Sequence, residues 1–139
     1  MIILDTNVIS ELMRVKPAAP VARWTASLPW NSLCTTTITQ AEILHGIQLL
    51  PRGKRRDALE EAARMMFDQV FSGRVFSFDG DAARAYARIV AGRHRAGRPI
   101  SQFDAQIAAI ASSTGCDLAT RDMRDFEGCG LDLHDPWQG

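Results

Sequence analysis

Apolar and polar positions run along this chain in two rhythms, and the rhythm changes at turn-forming residues. Ile2-Ile3-Leu4 is a short continuous apolar run halted by Asp5-Thr6-Asn7, which predicts a buried strand from Ile2 to Asp5. A short helix from Val8 to about Met13 follows, and Pro17 and Pro20 punctuate the loop after it. Pro20 stands near a helix start, Val21, Trp24 and Leu28 share one face, and Pro29 ends that helix. Ser32 to Thr36 reads as a second strand. Thr39 is placed to cap the next helix, whose apolar stripe is Ile43, Leu44, Ile47 and Leu50, and Pro51-Arg52-Gly53 breaks it.

The second half repeats the alternation. Arg55 to Val70 has the pattern of one charged amphipathic helix, with Leu59, Ala62, Ala63, Met66 and Phe67 on one side. Arg74 to Phe78 alternates as a third, edge strand. Asp79 or Asp81 starts an alanine-rich helix that ends near Ala96, with Gly97 as its stop and Pro99 beyond. Ser101 caps a helix from Gln102 to about Thr114, closed by Gly115. Cys116 to Thr120 is a fourth strand and Leu131 to Leu133 a short fifth. Strands alternating with helices predict an α/β domain with a mainly parallel sheet, and 139 residues give room for one domain with one core.

Charge changes the picture only through its distribution. Sixteen basic and sixteen acidic residues cancel. Between Pro51 and Arg98, however, eleven Lys and Arg face six Asp and Glu, leaving five against ten elsewhere. A basic middle and acidic ends suit a nucleic-acid site with cations for phosphates and carboxylates for a metal; a solvated pair of helices gives the same pattern. Cys34, Cys116 and Cys129 lack any C-x-x-C spacing, which gives no zinc site and suits a reducing cytoplasm. No basic segment precedes the apolar start, so no signal peptide is expected. No apolar run approaches the roughly 20 residues of a membrane span.

Four carboxylates fall at comparable places. Asp5 ends the first strand, Asp122 lies just past the fourth, and Glu42 and Asp104 occupy first turns of predicted helices. In an open parallel sheet, strand carboxyl ends and the helix starts that follow them share one edge, so all four are able to meet. Carboxylates gathered within a few ångströms do not all stay ionised unaided, and a hard divalent cation such as Mg²⁺ resolves the conflict. Such a cation also lowers the pKa of a bound water for attack on phosphorus. Each acid has an ordinary explanation too. Thr39-Gln40-Ala41-Glu42 and Ser101-Gln102-Phe103-Asp104 fit capping boxes, and Asp122 fits a turn cap. Asp5, directly after Ile-Ile-Leu, has no obvious helix to cap.

The motifs narrow the choice. Ile3-Leu4-Asp5-Thr6-Asn7-Val8-Ile9-Ser10-Glu11 resembles the start of PIN-domain ribonucleases, with VapC and FitB toxins of bacterial toxin–antitoxin pairs as the nearest likeness. The resemblance continues through Thr39-Gln40-Ala41-Glu42-Ile43 with Gly46, then Phe103 to Ala109. It resumes at Leu118-Ala119-Thr120-Arg121-Asp122 with Asp125-Phe126, and ends at Asp135-Pro136-Trp137. It covers nearly the whole chain in order. It implies a single PIN domain over residues 1–139, with about five parallel strands ordered 3-2-1-4-5. It assigns the family's acids to Asp5, Glu42, Asp104 and Asp122, which there bind Mg²⁺ or Mn²⁺ and cut single-stranded or loop RNA to leave a 5′-phosphate. It further implies a VapB/FitA-like antitoxin, a homodimer, and a larger assembly with antitoxin on operator DNA. Many members carry Asn at the Asp122 position and Asn-Pro-Trp at the end.

Other residues support or compete. Thr6, Asn7 and Thr120 are placed to orient the acids or metal-bound waters, or serve as turn residues. Lys54, Arg55, Arg95, Arg98 and Arg121 are candidate RNA contacts, alongside neighbouring Arg56, Arg93 and His94; for any single one an ordinary surface role is the commoner case. Glu42-Ile43-Leu44-His45 mimics the E-x-x-H of di-iron bundles, but no second copy exists. Two other functions compete with the nuclease. One is a phosphohydrolase forming phospho-aspartate at Asp5, weakened by Asn rather than an acid at position 7. The other is a non-catalytic PIN-like module whose acids hold a partner's arginine.

Overall fold

The structure is a computed structural model that describes all 139 residues. Ile2–Leu4 forms β1, and the chain turns at Asp5 directly into α1, Thr6–Leu12. Helix α2, Ala19–Ala26, carries Pro20 in its first turn, where a missing N–H costs nothing. Leu33–Thr36 is β2, every residue buried, and it runs without a loop into α3, Thr37–Gln48. The predicted long charged helix is α4, Lys54–Arg64, continued by one wide π-helical turn, Met65–Val70. The edge strand β3 is only Val75–Phe76. Asp79 caps α5, Gly80–Arg95, by accepting the Ala82 N–H; Ser101 caps α6, Gln102–Thr114, from the Asp104 N–H. Gly115 ends α6 in the left-handed conformation that glycine adopts at least cost. Asp117–Ala119 is β4 and Leu133–His134 is β5, two residues later than the pattern suggested.

All five strands are parallel, in the order β3-β2-β1-β4-β5. Side chains alternate across the strands and split the core in two. Ile3, Cys34 and Leu118 face α5 and α6, meeting Ala85, Ile89, Ile107 and Ile110. Leu4, Leu33 and Ala119 face the opposite way, toward Val8 and Ile9 of α1, Ile43 and Ile47 of α3, and Phe67 and Phe71 after α4. Strand order reverses between β1 and β4, so the crevice at their carboxyl ends is where such sheets place ligands. No helix is long and apolar enough to cross a membrane.

One arginine ties the α5 face to the crevice. Arg93, inside α5 and buried, donates to the carbonyl oxygens of Arg98 (2.6 Å), Asp125 (2.8 Å) and Glu127 (3.0 Å). It therefore holds the loop after β4 rather than facing solvent with its neighbours His94 and Arg95.

Candidate active site

Asp5 sits where β1 ends and α1 begins. The expectation that it caps no helix is corrected: α1 starts one residue later, and Asp5 is its N-cap. Its Oδ1 accepts the Thr6 N–H at 2.8 Å and its Oδ2 accepts the Thr120 hydroxyl at 2.8 Å. With 5% of its surface exposed, the carboxyl loses most of its hydration. Burial pushes its pKa up to about 6 against the two hydrogen bonds, and the charges of Asp104 and Glu42 push the same way.

Glu42 belongs to the second turn of α3, another correction. Thr36, not Thr39, caps that helix, accepting the Thr39 N–H at 3.1 Å. The capping box proposed for Thr39 and Glu42 does not form. Glu42 instead accepts the Thr6 hydroxyl at 2.8 Å, and Thr6 and the buried Thr39 hydroxyls lie 3.1 Å apart. Thr6 thus serves both acids, Asp5 through its amide and Glu42 through its hydroxyl.

Asp104 enters from the first turn of α6, half-buried. Desolvation raises its pKa first of all, opposed by Ser101, and the charges of Asp125, Glu42 and Asp122 raise it further. Asp122 follows β4 at the start of a 3-10 turn, Met123–Phe126, and is exposed. Its carboxylate accepts Asn7 Nδ2 at 3.1 Å, and its N–H donates to Thr120 Oγ1 at 3.1 Å. Asn7 also donates to Thr120 Oγ1 at 3.4 Å and accepts the Arg121 N–H at 3.3 Å. Thr120, fully buried, is therefore the hub joining Asp5, Asn7 and Asp122.

The four predicted acids lie on one edge, within reach of each other's fields. No three His, Cys, Asp or Glu side chains stand close enough to form a ready metal cage. The donor set is nonetheless the hard, all-oxygen kind that suits Mg²⁺, which keeps several waters and takes only one or two carboxylates directly. The amino ends of α1 and α6 also point their partial positive charge at this edge.

The candidate RNA contacts are dispersed. Lys54 and Arg55 are exposed at the start of α4, and Arg95 is exposed in the last turn of α5. Arg98 pairs with Glu127 at 2.9 Å. Arg121 lies beside the acids, its guanidinium 4.9 Å from the centre of the Trp137 ring. One neighbour of the acids was not among the predicted site residues. Asp125 stands against Asp104, and with Ser101 and Arg93 they line a small cavity of about 170 Å³. The available signal was its position three residues after Asp122, one turn on. Thr39, expected as a helix cap, instead meets the Thr6 hydroxyl, and Arg93, expected as a phosphate contact, is spent on backbone carbonyl oxygens.

A parallel sheet in this order, with acids gathered at the reversal of strand order, is the arrangement of a PIN domain. The chain belongs to that family: the PIN domain matches residues 2–128. It is 44% identical to the plasmid stability protein StbB of Pseudomonas syringae pv. tomato, over 99% of both chains. It is 40% identical to the VapC ribonuclease Y4jK of Sinorhizobium fredii, again over 99% of both. Among solved structures it resembles FitAcB from Neisseria gonorrhoeae, with a TM-score of 0.92, 36% identity and full coverage of both chains. The FitAB complex bound to an IR36 DNA fragment is alike, at a TM-score of 0.91 and 36% identity over 99% of this chain and 96% of that one.

Proposed function

We propose that this chain is a metal-dependent endoribonuclease toxin, held in check by a cognate antitoxin. The observation that carries the proposal is the carboxylate edge. Asp5 is buried, raised to about 6, and shares its surroundings with Glu42, Asp104 and Asp122. An isolated structural acid does not attract three more. The relatives named ribonuclease support an RNA substrate.

Asp5 and Asp104 would hold Mg²⁺ or Mn²⁺, with Glu42 and Asp122 reaching it directly or through water. When bound, the cation supplies charge neutralisation at the phosphate and a lowered pKa for an attacking water. The chain's own residues do the positioning. Thr6 fixes Asp5 relative to Glu42, and Thr120 and Asn7 fix Asp5 relative to Asp122. Glu42, with only one oxygen engaged, keeps the other free to accept a proton from water. Arg121 stands beside Asp122 to offset the negative charge of the RNA backbone.

The antitoxin has a groove to enter. A cavity of about 280 Å³ between α1, α3 and α4 is lined by Met13, Ile43, Ile47 and Leu59 together with Thr6 and Glu42. An apolar segment in that groove would deliver an arginine to the carboxylates and compete with the metal. A homodimer that joins its antitoxin on operator DNA completes the picture, with the protein placed in the cytoplasm. Mapping the 5′ ends of cellular RNAs after induction tests the proposal. New 5′-phosphate ends are expected with the native chain and none with Asp5→Asn. Identical end profiles would refute it.

A further inference from the structure

Resting on the nuclease reading above, we propose that a second cavity, beside the carboxylate edge, is a subsite that stacks one base of single-stranded RNA. The cavity holds about 300 Å³, the lower end of the range for small-ligand pockets. Trp24 of α2 and Trp137 near the end of the chain form its walls, with Arg23, Ser27 and Gln138 as polar lining.

The aromatic wall is built in place. Asp135 Oδ1 accepts the Trp137 N–H at 2.9 Å, and the Asp135 carbonyl accepts the Gln138 N–H at 3.1 Å, closing a turn around buried Pro136. Trp24 leans on His134, with ring centres 6.2 Å apart. Both indoles are half-buried, and neither indole N–H is used by a hydrogen bond within the chain. A base entering the cavity gains indole surface to stack on that is already held in place.

The cavity also connects to the chemistry. His134 O accepts the Thr120 N–H at 2.9 Å, so the strand carrying the cavity's support is tied to the residue that organises the acids. Arg121, next to Asp122, covers the Trp137 ring. Neither Arg121 nor Arg23 takes part in any ion pair of the chain. Arg23 lines the cavity and Arg121 lies over one of its indoles, so two guanidiniums free of ion pairs are available to the phosphates of a stacked nucleotide. A strand with its phosphate at the carboxylates passes Arg121 and reaches the slot with a neighbouring base.

The test is a base-by-base removal series. Binding of a labelled single-stranded RNA octamer to the full chain is measured in EDTA, so that cleavage plays no part. The octamers are intact or carry one abasic position each. With the native chain, loss of one particular base weakens binding about tenfold. In Trp137→Leu the intact RNA binds about tenfold more weakly, and removing that base has no further effect. Trp24→Leu provides the same comparison should Trp137→Leu fail to fold. No position-dependent loss with the native chain overturns the proposal. So does the same base sensitivity persisting in both variants, or a variant that loses only antitoxin binding. RNA bound with this signature but never cut refutes the nuclease reading and leaves the subsite standing; RNA cut without the signature does the reverse.

Discussion

At the scale of residues, Asp5 sets the terms. Its ordinary pKa of 3.8 becomes about 6 because burial removes hydration that Thr120 and Thr6 only partly replace. The folded state therefore ionises Asp5 less readily than the unfolded chain does. That penalty is absent below about pH 4 and complete above about pH 6, where it reaches about 3 kcal/mol. Metal-free protein should lose stability through this window as pH rises. Asp5→Asn should flatten the profile and gain about 1–3 kcal/mol at pH 8 in EDTA, as read by urea unfolding, while the gain vanishes at pH 4. Thr120→Val tests the hub beneath it. It keeps the shape but removes the hydroxyl that serves Asp5, Asn7 and Asp122. A loss of about 1–3 kcal/mol is expected, together with a destabilisation window shifted to higher pH, because the hydrogen bond that lowers the Asp5 pKa is gone.

That the four acids share one edge was legible in the sequence, through residue type and motif. Their hydrogen-bonding was not. Thr6 read as a residue placed to orient the acids or as a turn residue, and only the approach of α3 shows that its hydroxyl reaches Glu42, thirty-six positions away. Asp125 stayed hidden for a similar reason, since its proximity to Asp104 depends on how the loop after β4 meets α6.

At the scale of elements, the difference lies in where helices start. Asp5 and Thr36 each begin a helix with no intervening loop, so a strand pattern runs straight into a helical one. Thr36 and Thr39 are equally good caps on sequence grounds, and full burial of β2 selects the earlier one. That choice moves Glu42 by three residues, almost a full turn, and aims it at Thr6. Thr36→Ala should lower stability by about 1 kcal/mol in urea unfolding. Because the cap also sets the pose of Glu42, its cleavage rate should fall by more than the folded fraction does. The π-helical turn after α4 was illegible as well. Phe67 and Phe71 both enter the core there, and a spacing of four suits an ordinary α-helix equally well, so apolar spacing alone does not reveal the wider winding.

At the scale of the whole molecule, α/β class and strand sequence follow from the alternation of patterns, and the order 3-2-1-4-5 from the family resemblance. The basic middle was less informative. Arg93 is buried on loop carbonyls, Arg74 binds the carbonyl oxygens of Trp30, Leu33 and Val70, and Arg56 is engaged by Glu60 and Gln48. A guanidinium's charge is visible in a sequence, but whether it faces RNA or its own backbone depends on the packing of distant elements. What remains is a neutral chain whose negative edge lies beside the unpaired Arg121. That layout is suited to drawing in a metal and one strand of RNA together.

The central claim is that the carboxylate edge performs metal-dependent RNA cleavage. The most direct measurement follows a 3′-labelled single-stranded RNA with purified native chain and with Asp5→Asn, each in Mg²⁺ and in EDTA, after both are shown to be folded. Cleavage is expected only from the native chain with Mg²⁺, leaving 5′-phosphate ends. Equal cleavage in EDTA, or undiminished cleavage by Asp5→Asn, would contradict it.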